Sequence, residues 1–372
     1  MSQNFTDYSA RLRGFIRSGE TFESSPSEDD FNEPALDLFA LQFAHNRAYR
    51  GFCEARKVTP MSVTRWSSIP AMPAIGFKEL ELTSLSEEER TRVFHSSGTT
   101  GQQSSRHFHN AESIAIYKAS LLPWFQAHLL PERNLKMSFV SLTPPPEQAP
   151  HSSLVHMFET VGHELSPHDF VFTGTVGRDG AWDVDLEKTL AVLNESTAAN
   201  RPVMLLGTAF GFVHLLDYLT GKNVALKLPT GSRALETGGY KGRSRTMPKA
   251  ELHELIIHWL GLASSHIVCE YGMSELSSQA YDLRIQDQNF PAESTRRIFK
   301  FPPWARVQVV SPETGREVPE GETGLIRVFD LANVRSVMAI QTEDLGIRRD
   351  DGFELVGRAA ISEPRGCSLM SL

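Results

Sequence analysis

Residues 203–221 read VMLLGTAFGFVHLLDYLTG. Val203–Leu206 is a short unbroken apolar run, the pattern of a strand buried on both faces. Phe212–Leu219 then carries apolar residues at helical spacing, and Gly221 is placed to end that helix. Similar pieces recur on either side. Met137–Leu142 is an apolar strand candidate ended by Pro144-Pro145-Pro146, and Leu186–Leu193 has a helical pattern. Glu251–Leu260 is a helix closed by Gly261, and Ile267–Cys269 is again a strand. Strands alternating with helices predict parallel βαβ units and hence an α/β fold.

The flanking regions differ. Phe31, Leu36, Phe39, Phe43 and Phe52 recur at helix-like intervals, so the N-terminal segment is expected to be helical. Residues 67–79 form proline-punctuated coil, and Arg92–His95 reads as a strand entering a glycine-rich turn. Ala111–Phe125 has a helix pattern. Beyond residue 298 the texture becomes β-rich: Phe299–Val310, Gly324–Phe329 and Ser336–Gln341 are short runs separated by turns, with Asp351-Gly352 as a hairpin turn. The expected division is an α/β core over 1–297, a small β subdomain over 298–358 and a tail over 359–372.

Composition excludes several classes. With 372 residues the chain can bury a substantial core, and 40% hydrophobic with 22% charged residues is ordinary for a globular protein. The 45 acidic against 37 basic residues give a net charge of −8, with no general attraction to nucleic acid or anionic membrane. No apolar run reaches the length of a membrane span, and the stretch MSQNFTDYSARLRGF lacks the apolar centre of a secretory signal. Cys53, Cys269 and Cys367 are odd in number and far apart, so no disulfide framework is expected and a cytoplasmic location is.

Three short motifs carry chemistry. Ser96-Ser97-Gly98-Thr99-Thr100-Gly101 combines two glycines with four hydroxyls, a backbone able to curl its N–H groups around an anion. As an isolated hexapeptide it is more commonly a solvated loop, and it lacks the Gly-Lys-Ser/Thr ending of a Walker A loop. Tyr271-Gly272-Met273-Ser274-Glu275 follows an apolar strand, at the end where open α/β sheets bind ligands. There Tyr271 offers a ring for stacking and Glu275 a hard oxygen suited to Mg²⁺. Thr342-Glu343-Asp344 and Gly357-Arg358 offer a carboxylate for two neighbouring hydroxyls and a guanidinium for a hydroxyl or phosphate. His107-Phe108-His109 has no further ligands near it in sequence and is not read as a metal site. Gly207-Thr208-Ala209-Phe210-Gly211 has alanine where a hydrolase elbow needs its nucleophile. Cys269, in an apolar strand, is read as a small packing residue.

In this order the motifs resemble those of the adenylate-forming superfamily. Within it, nearly the whole chain resembles the LuxE acyl-protein synthetases, through Ile69-Pro70, Phe77-Lys78, the phosphate loop without a following Pro-Lys, Pro150–Leu154, Thr237–Gly242 and the tail Arg365-Gly366-Cys367-Ser368-Leu369. The resemblance implies the superfamily's large N-terminal domain, with parallel-sheet βαβ subdomains and a small β subdomain, and without the usual mobile C-terminal domain. It implies ATP and Mg²⁺ as cofactors, Ser96–Gly101, Gly238, Gly239, Tyr271, Gly272, Asp344 and Arg358 as ATP-binding residues, and Glu275 as the Mg²⁺ ligand. Two departures from the superfamily are the missing Pro-Lys after the phosphate loop and a chain that ends 14 residues after Arg358; Glu343 also stands where the ribose motif has glycine.

The implied activity is ATP-dependent conversion of a carboxylic acid, a fatty acid by analogy, to an acyl-adenylate. The acyl group then passes to the Cys367 thiol as a thioester, for delivery to a partner such as an acyl reductase. The chemistry of the tail agrees: a thiolate is a competent nucleophile for a mixed anhydride, and Gly366 frees the backbone beside it. Two alternatives stay open at this point. One is a free-standing adenylating ligase that uses coenzyme A, a carrier protein or an amine. The other is a non-catalytic nucleotide-binding scaffold.

Overall fold

The computed structural model describes residues 4–18, 28–96, 103–132, 136–238, 247–282, 285 and 297–359. The chain opens with α1 (Phe5–Ser18), α2 (Glu28–His45) and α3 (Arg47–Ala55). It continues through β1 (Met72–Pro73), α4 (Gly76–Glu79), β2 (Arg92–His95), β3 (Arg106–His109) and α5 (Ala111–Leu129). Then come β4 (Ser138–Ser141), α6 (Ser153–Leu165), β5 (Phe170–Phe172), β6 (Gly174–Val176), β7 (Trp182–Val184) and α7 (Leu186–Ala198). The next elements are β8 (Val203–Thr208), α8 (Ala209–Lys222), β9 (Arg233–Thr237), α9 (Lys249–Leu260), β10 (Ile267–Tyr271) and β11 (Ala280–Tyr281). The described chain closes with β12 (Ala305–Val310), β13 (Thr323–Asp330), β14 (Ala339–Arg349) and β15 (Gly352–Arg358). No helix among the described residues is long and apolar enough to cross a membrane.

These elements form two compact units that interleave along the chain. One takes residues up to Ser120, Ser274–Ser278 and those from Ile298 onward; the other takes Leu121–Met273 and Gln279–Arg297. The second unit holds a six-stranded sheet in the order β11-β10-β9-β8-β4-β5. All its pairings are parallel except the antiparallel edge strand β11. Every residue of β8 is buried, as the unbroken apolar run implies for a parallel strand. Phe212, Leu216, Leu252 and Ile256 of the helices pack with Val140, Leu205, Ala234 and Ile267 of the strands in one core.

Helix α8 runs past Gly221 and ends at Asn223, which takes the left-handed conformation at φ 52°. Asparagine tolerates that conformation, so the expected glycine stop was not required. Gly261 does close α9, at φ 69°.

In the first unit, β12, β13, β14 and β15 form antiparallel neighbours, and β1 adds in parallel through Met72↔Ile340 and Pro73↔Gln341. This pairing draws residue 72 into the sheet built from the β-rich segment after residue 298, which is why the compact units are not linear stretches. Trp66 links the helices to the sheet: its ring meets Phe31 at 5.4 Å and Phe329 at 4.8 Å, both edge-on. The helical segment is broken at Asn46, whose side chain accepts a bond from Tyr49 N at 3.1 Å and starts α3 afresh. The Asp350-Asp351 turn joins β14 to β15, with Gly352 already paired to Arg349. A Cβ at Gly352 would stand 2.4 Å from the Phe299 carbonyl oxygen, so glycine is needed there for close approach rather than for the turn.

Candidate active site

In the first unit, β2 and β3 pair from Arg92↔His109 to His95↔Arg106, on either side of the hydroxyl-rich motif. Ser96 is described; Ser97, Gly98, Thr99, Thr100 and Gly101 lie outside the described residues. Ser96 and Ser105 bond reciprocally across the open end of the hairpin. Ser96 N donates to Ser105 Oγ at 3.2 Å, and Ser105 N donates to Ser96 Oγ at 3.0 Å. Ser105 Oγ in turn lies 3.3 Å from Ser274 Oγ, and Ser274 Oγ donates to Glu275 Oε2 at 2.9 Å. An unbroken hydrogen-bond chain therefore links the start of the first motif to the carboxylate that ends the second.

The second motif is held from several sides. His107 Nδ1 lies 2.9 Å from the Ser274 carbonyl oxygen, which can only accept, so Nδ1 carries the proton. Burial pushes the His107 imidazole down to about 4, so the ring is neutral near pH 7. Asn333 Nδ2 donates to the Glu275 carbonyl oxygen at 2.8 Å. The Asp330 carboxylate accepts from Ser277 N at 2.9 Å, Ser278 N at 2.8 Å and Ser278 Oγ at 2.7 Å. Glu275 is buried, at 5% exposure, with its backbone and one carboxylate oxygen both engaged.

The third motif lies on the β14–β15 hairpin of the same unit. Asp344 and Arg358 are register partners, and Arg358 Nε stands 3.5 Å from Asp344 Oδ1. Thr342 is buried; its hydroxyl donates to the Ile326 carbonyl at 2.7 Å and accepts from Asp344 N at 3.1 Å. Thr342 thus orients the aspartate, while the Arg358 side chain is 74% exposed and open to a ligand.

In the second unit, parallel β8, β9 and β10 finish at the same edge of the sheet, at Thr208, Thr237 and Tyr271. The pairing Thr237↔Glu270 sets Gly238 and Tyr271 just beyond neighbouring positions on adjacent strands. Gly238 has φ 69°, a left-handed conformation that favours glycine. Tyr271 is 6% exposed, so little of its ring is free for stacking. A Cβ at Gly272 would stand 2.2 Å from Glu270 Oε1, so the glycine makes room for that carboxylate. Thr237 Oγ1 donates to Glu270 Oε2. Burial pushes the Glu270 carboxyl up to about 7, against the opposing effect of the threonine bond.

Several residues at these places were not evident from sequence. Asp330 and Asn333 belong to no motif; Ser105 lies in the polar tail of the first motif and His107 in the His-Phe-His pair, but the roles of all four depend on partners remote in the chain. Cys269 is as buried as an apolar packing residue should be, but its Sγ donates to Glu236 Oε2 at 3.2 Å. The available signal was Glu236 itself, an acid inside a strand of buried residues. Cys53 is also buried, and desolvation pushes its thiol up to about 12, as for an inert core cysteine. Gly239 and Cys367 lie outside the described residues.

The sequence profile of the family described as acyl-protein synthetase, LuxE, matches residues 3–371. The chain belongs to the LuxE acyl-protein synthetase family. It is 24% identical over 373 residues to the long-chain-fatty-acid–luciferin-component ligase of Aliivibrio fischeri, covering 94% of this chain and 91% of that protein. The ligase of the same name from Vibrio harveyi is 24% identical over 346 residues, covering 89% of this chain and 84% of that one. Membership of LuxE places the chain among the adenylate-forming ligases that its motifs implied.

Solved structures agree on the fold. A 2-hydroxyisobutyryl-CoA ligase crystallised with 2-HIB-AMP and CoA superposes with a TM-score of 0.64 at 12% identity, over 90% of this chain and 69% of that one. ATP-bound MatB from Rhodopseudomonas palustris gives 0.50 at 15% identity, over 74% of this chain; the LuxE chain spans about half of MatB, 49%. The mixed α/β architecture with its parallel sheet is therefore that of the adenylate-forming enzymes.

Proposed function

We propose that this LuxE-family chain uses ATP to activate a long-chain carboxylic acid and then carries the acyl group on Cys367 for delivery to a partner such as an acyl reductase. The observation that supports it most is the chain Ser96–Ser105–Ser274–Glu275, which couples the anion-cradle motif to the carboxylate of the Tyr-Gly-Met-Ser-Glu motif. The fatty-acid ligase names of the relatives support the choice of acid.

In the first half-reaction the substrate carboxylate attacks the α-phosphorus of ATP, and pyrophosphate leaves. Ser96–Gly101 hold the phosphates through hydroxyl and backbone donors. Asp344 accepts from the ribose hydroxyls while Arg358 donates, a pairing of acceptor and donor that suits a vicinal diol. Gly238, Gly239, Tyr271 and Gly272 border the base. The Glu275 donor set fits a hard divalent cation: a carboxylate fixed by Ser274 at one oxygen and by Asn333 at its backbone. When bound, Mg²⁺ would spread the negative charge of the phosphates. Most of the rate enhancement then comes from positioning and fixed donors.

In the second half-reaction the Cys367 sulfur attacks the acyl carbon. The C–S bond forms, the C–O bond to AMP breaks and the thiol proton passes to solvent. The test has two parts. Acid-dependent exchange of pyrophosphate into ATP, run with acids of different chain length, reports activation and is expected to favour long chains. Cys367→Ala should keep this exchange and lose covalent labelling by radioactive acid. Labelling equal to wild type would overturn the thioester step, and no exchange with any acid would overturn the whole reading.

A further inference from the structure

The second unit contains a buried cluster that the adenylation chemistry does not use. Glu236 on β9 and Cys269 on β10 are register partners in the parallel sheet. Helix α9 brings up Lys249 and His253, one turn apart. Cys269 Sγ is 3.2 Å from Glu236 Oε2 and 3.5 Å from His253 Nε2, and His253 Nε2 is 3.8 Å from Glu236 Oε2. Glu236 and Cys269 are 0% exposed and His253 is 7% exposed. A second observation is independent of these distances: Glu236 Oε1 is fully buried with no hydrogen-bond partner. A carboxylate oxygen stripped of water and left unpartnered needs a reason.

The three donor atoms stand at the corners of a triangle that one ion can cap. Tetrahedral zinc, with Zn–S of about 2.3 Å and Zn–N and Zn–O of about 2.0 Å, has ligand–ligand edges of about 3.3–3.6 Å. The observed S···N, S···O and N···O edges of 3.5, 3.2 and 3.8 Å match or lie within about half an ångström of these, an adjustment side-chain rotation can make. A thiol, an imidazole and one carboxylate suit Zn²⁺ rather than Mg²⁺ or Ca²⁺. The arrangement is unlike a nucleophilic triad: the carboxylate approaches the same imidazole nitrogen as the thiol, and not the far one. Burial also pushes the Cys269 thiol well above its ordinary value, the opposite of activation.

The geometry points to a zinc site formed by Cys269, His253 and Glu236, with Lys249 as its displaceable counter-ion. Lys249 Nζ lies 3.2 Å from Glu236 Oε2, and its side chain is 40% exposed, so the ammonium has a route to water. On binding, the thiol proton leaves to solvent, and thiolate and carboxylate together neutralise the metal. The ion would fasten α9 to β9 and β10 at Glu236 and Cys269, each two residues before Gly238 and Tyr271 respectively. This inference stands independently of the proposed acyl transfer.

The test uses the full chain, stripped with chelator and titrated with Co²⁺ and then Zn²⁺. One Co²⁺ per chain is expected, with tetrahedral visible bands and a sulfur-to-cobalt band in the near ultraviolet, all abolished by one equivalent of Zn²⁺. Cys269→Ser should remove the sulfur band, and His253→Gln should weaken affinity by about 100-fold. Cys367→Ala should leave the spectrum unchanged. Lys249→Ala, at the partly exposed counter-ion, should bind at least about 10-fold more tightly because the competing cation is gone. Absence of the sulfur band in the wild-type chain, its persistence in Cys269→Ser, its loss in Cys367→Ala, or weaker binding by Lys249→Ala would each overturn the assignment.

Discussion

Ser105 Oγ and Ser274 Oγ stand 3.3 Å apart although 169 positions separate them in the chain. Each has a second partner at one of the motifs, Ser96 on one side and Glu275 on the other. The pair therefore transmits the position of the first motif to the carboxylate of the second.

Ser274→Ala removes the central link. It leaves Glu275 Oε2 and Ser105 Oγ each short of a partner in a buried place, a loss of about 1–3 kcal/mol. Acid-dependent pyrophosphate exchange should fall roughly 10–100-fold, with a modest drop in urea midpoint. Unchanged exchange in a folded variant would detach the hydrogen-bond chain from activity.

His107 sets an acid limit on stability. Its folded value near 4 lies below the ordinary 6.5, so the unfolded chain binds more protons between those values. The stabilisation is complete above pH 6.5 and is lost as pH falls toward 4, by an amount on the order of 3 kcal/mol. The His109 ring lies 4.1 Å away, so protonating both rings adds repulsion. Denaturant unfolding followed from pH 7 to pH 4 should show this slope, and His107→Gln should flatten it. An identical slope in the variant would assign the acid loss to other groups.

Asp344→Asn and Arg358→Ala test the proposed contacts to the nucleotide. Both side chains belong to one ion pair on a hairpin, and Arg358 is largely exposed, so neither change should threaten the fold. Each should raise the KM for ATP by about 10-fold with a smaller effect on kcat. A fall in kcat alone would overturn the proposed ribose contact and point to the chemical step instead.

Gly272→Ala places a methyl group against Glu270 Oε1, which cannot simply swing away because the carboxylate is buried and bonded to Thr237. A cost of about 1–3 kcal/mol is expected. In a Glu270→Ala background the same change should cost much less, and a double-mutant cycle of thermal unfolding measures the difference. Equal costs in both backgrounds would show that the clash is not with Glu270.

Much of the fold was open to reading in sequence, because apolar runs and glycine-bounded helical patterns report local burial directly. Val203–Leu206 and Glu251–Leu260 are examples, each shorter than the observed element but of the right type. The helix end at Asn223 was misplaced because asparagine and glycine both permit the left-handed turn, and composition cannot choose between them. Helix α1 likewise buries Phe5, Tyr8, Leu12 and Ile16 at helical spacing, a pattern already present in the helical N-terminal segment.

By itself the sequence determined the α/β class and the family-level motifs, since both are written in consecutive residues. Strand order and register were decided only by the tertiary structure. They set Glu236 opposite Cys269 and Asp344 opposite Arg358, while packing within the first unit brings Ser105 to Ser274. A hydrogen bond between remote residues depends on where whole strands pack, and that follows from the burial of the entire core rather than from any local pattern.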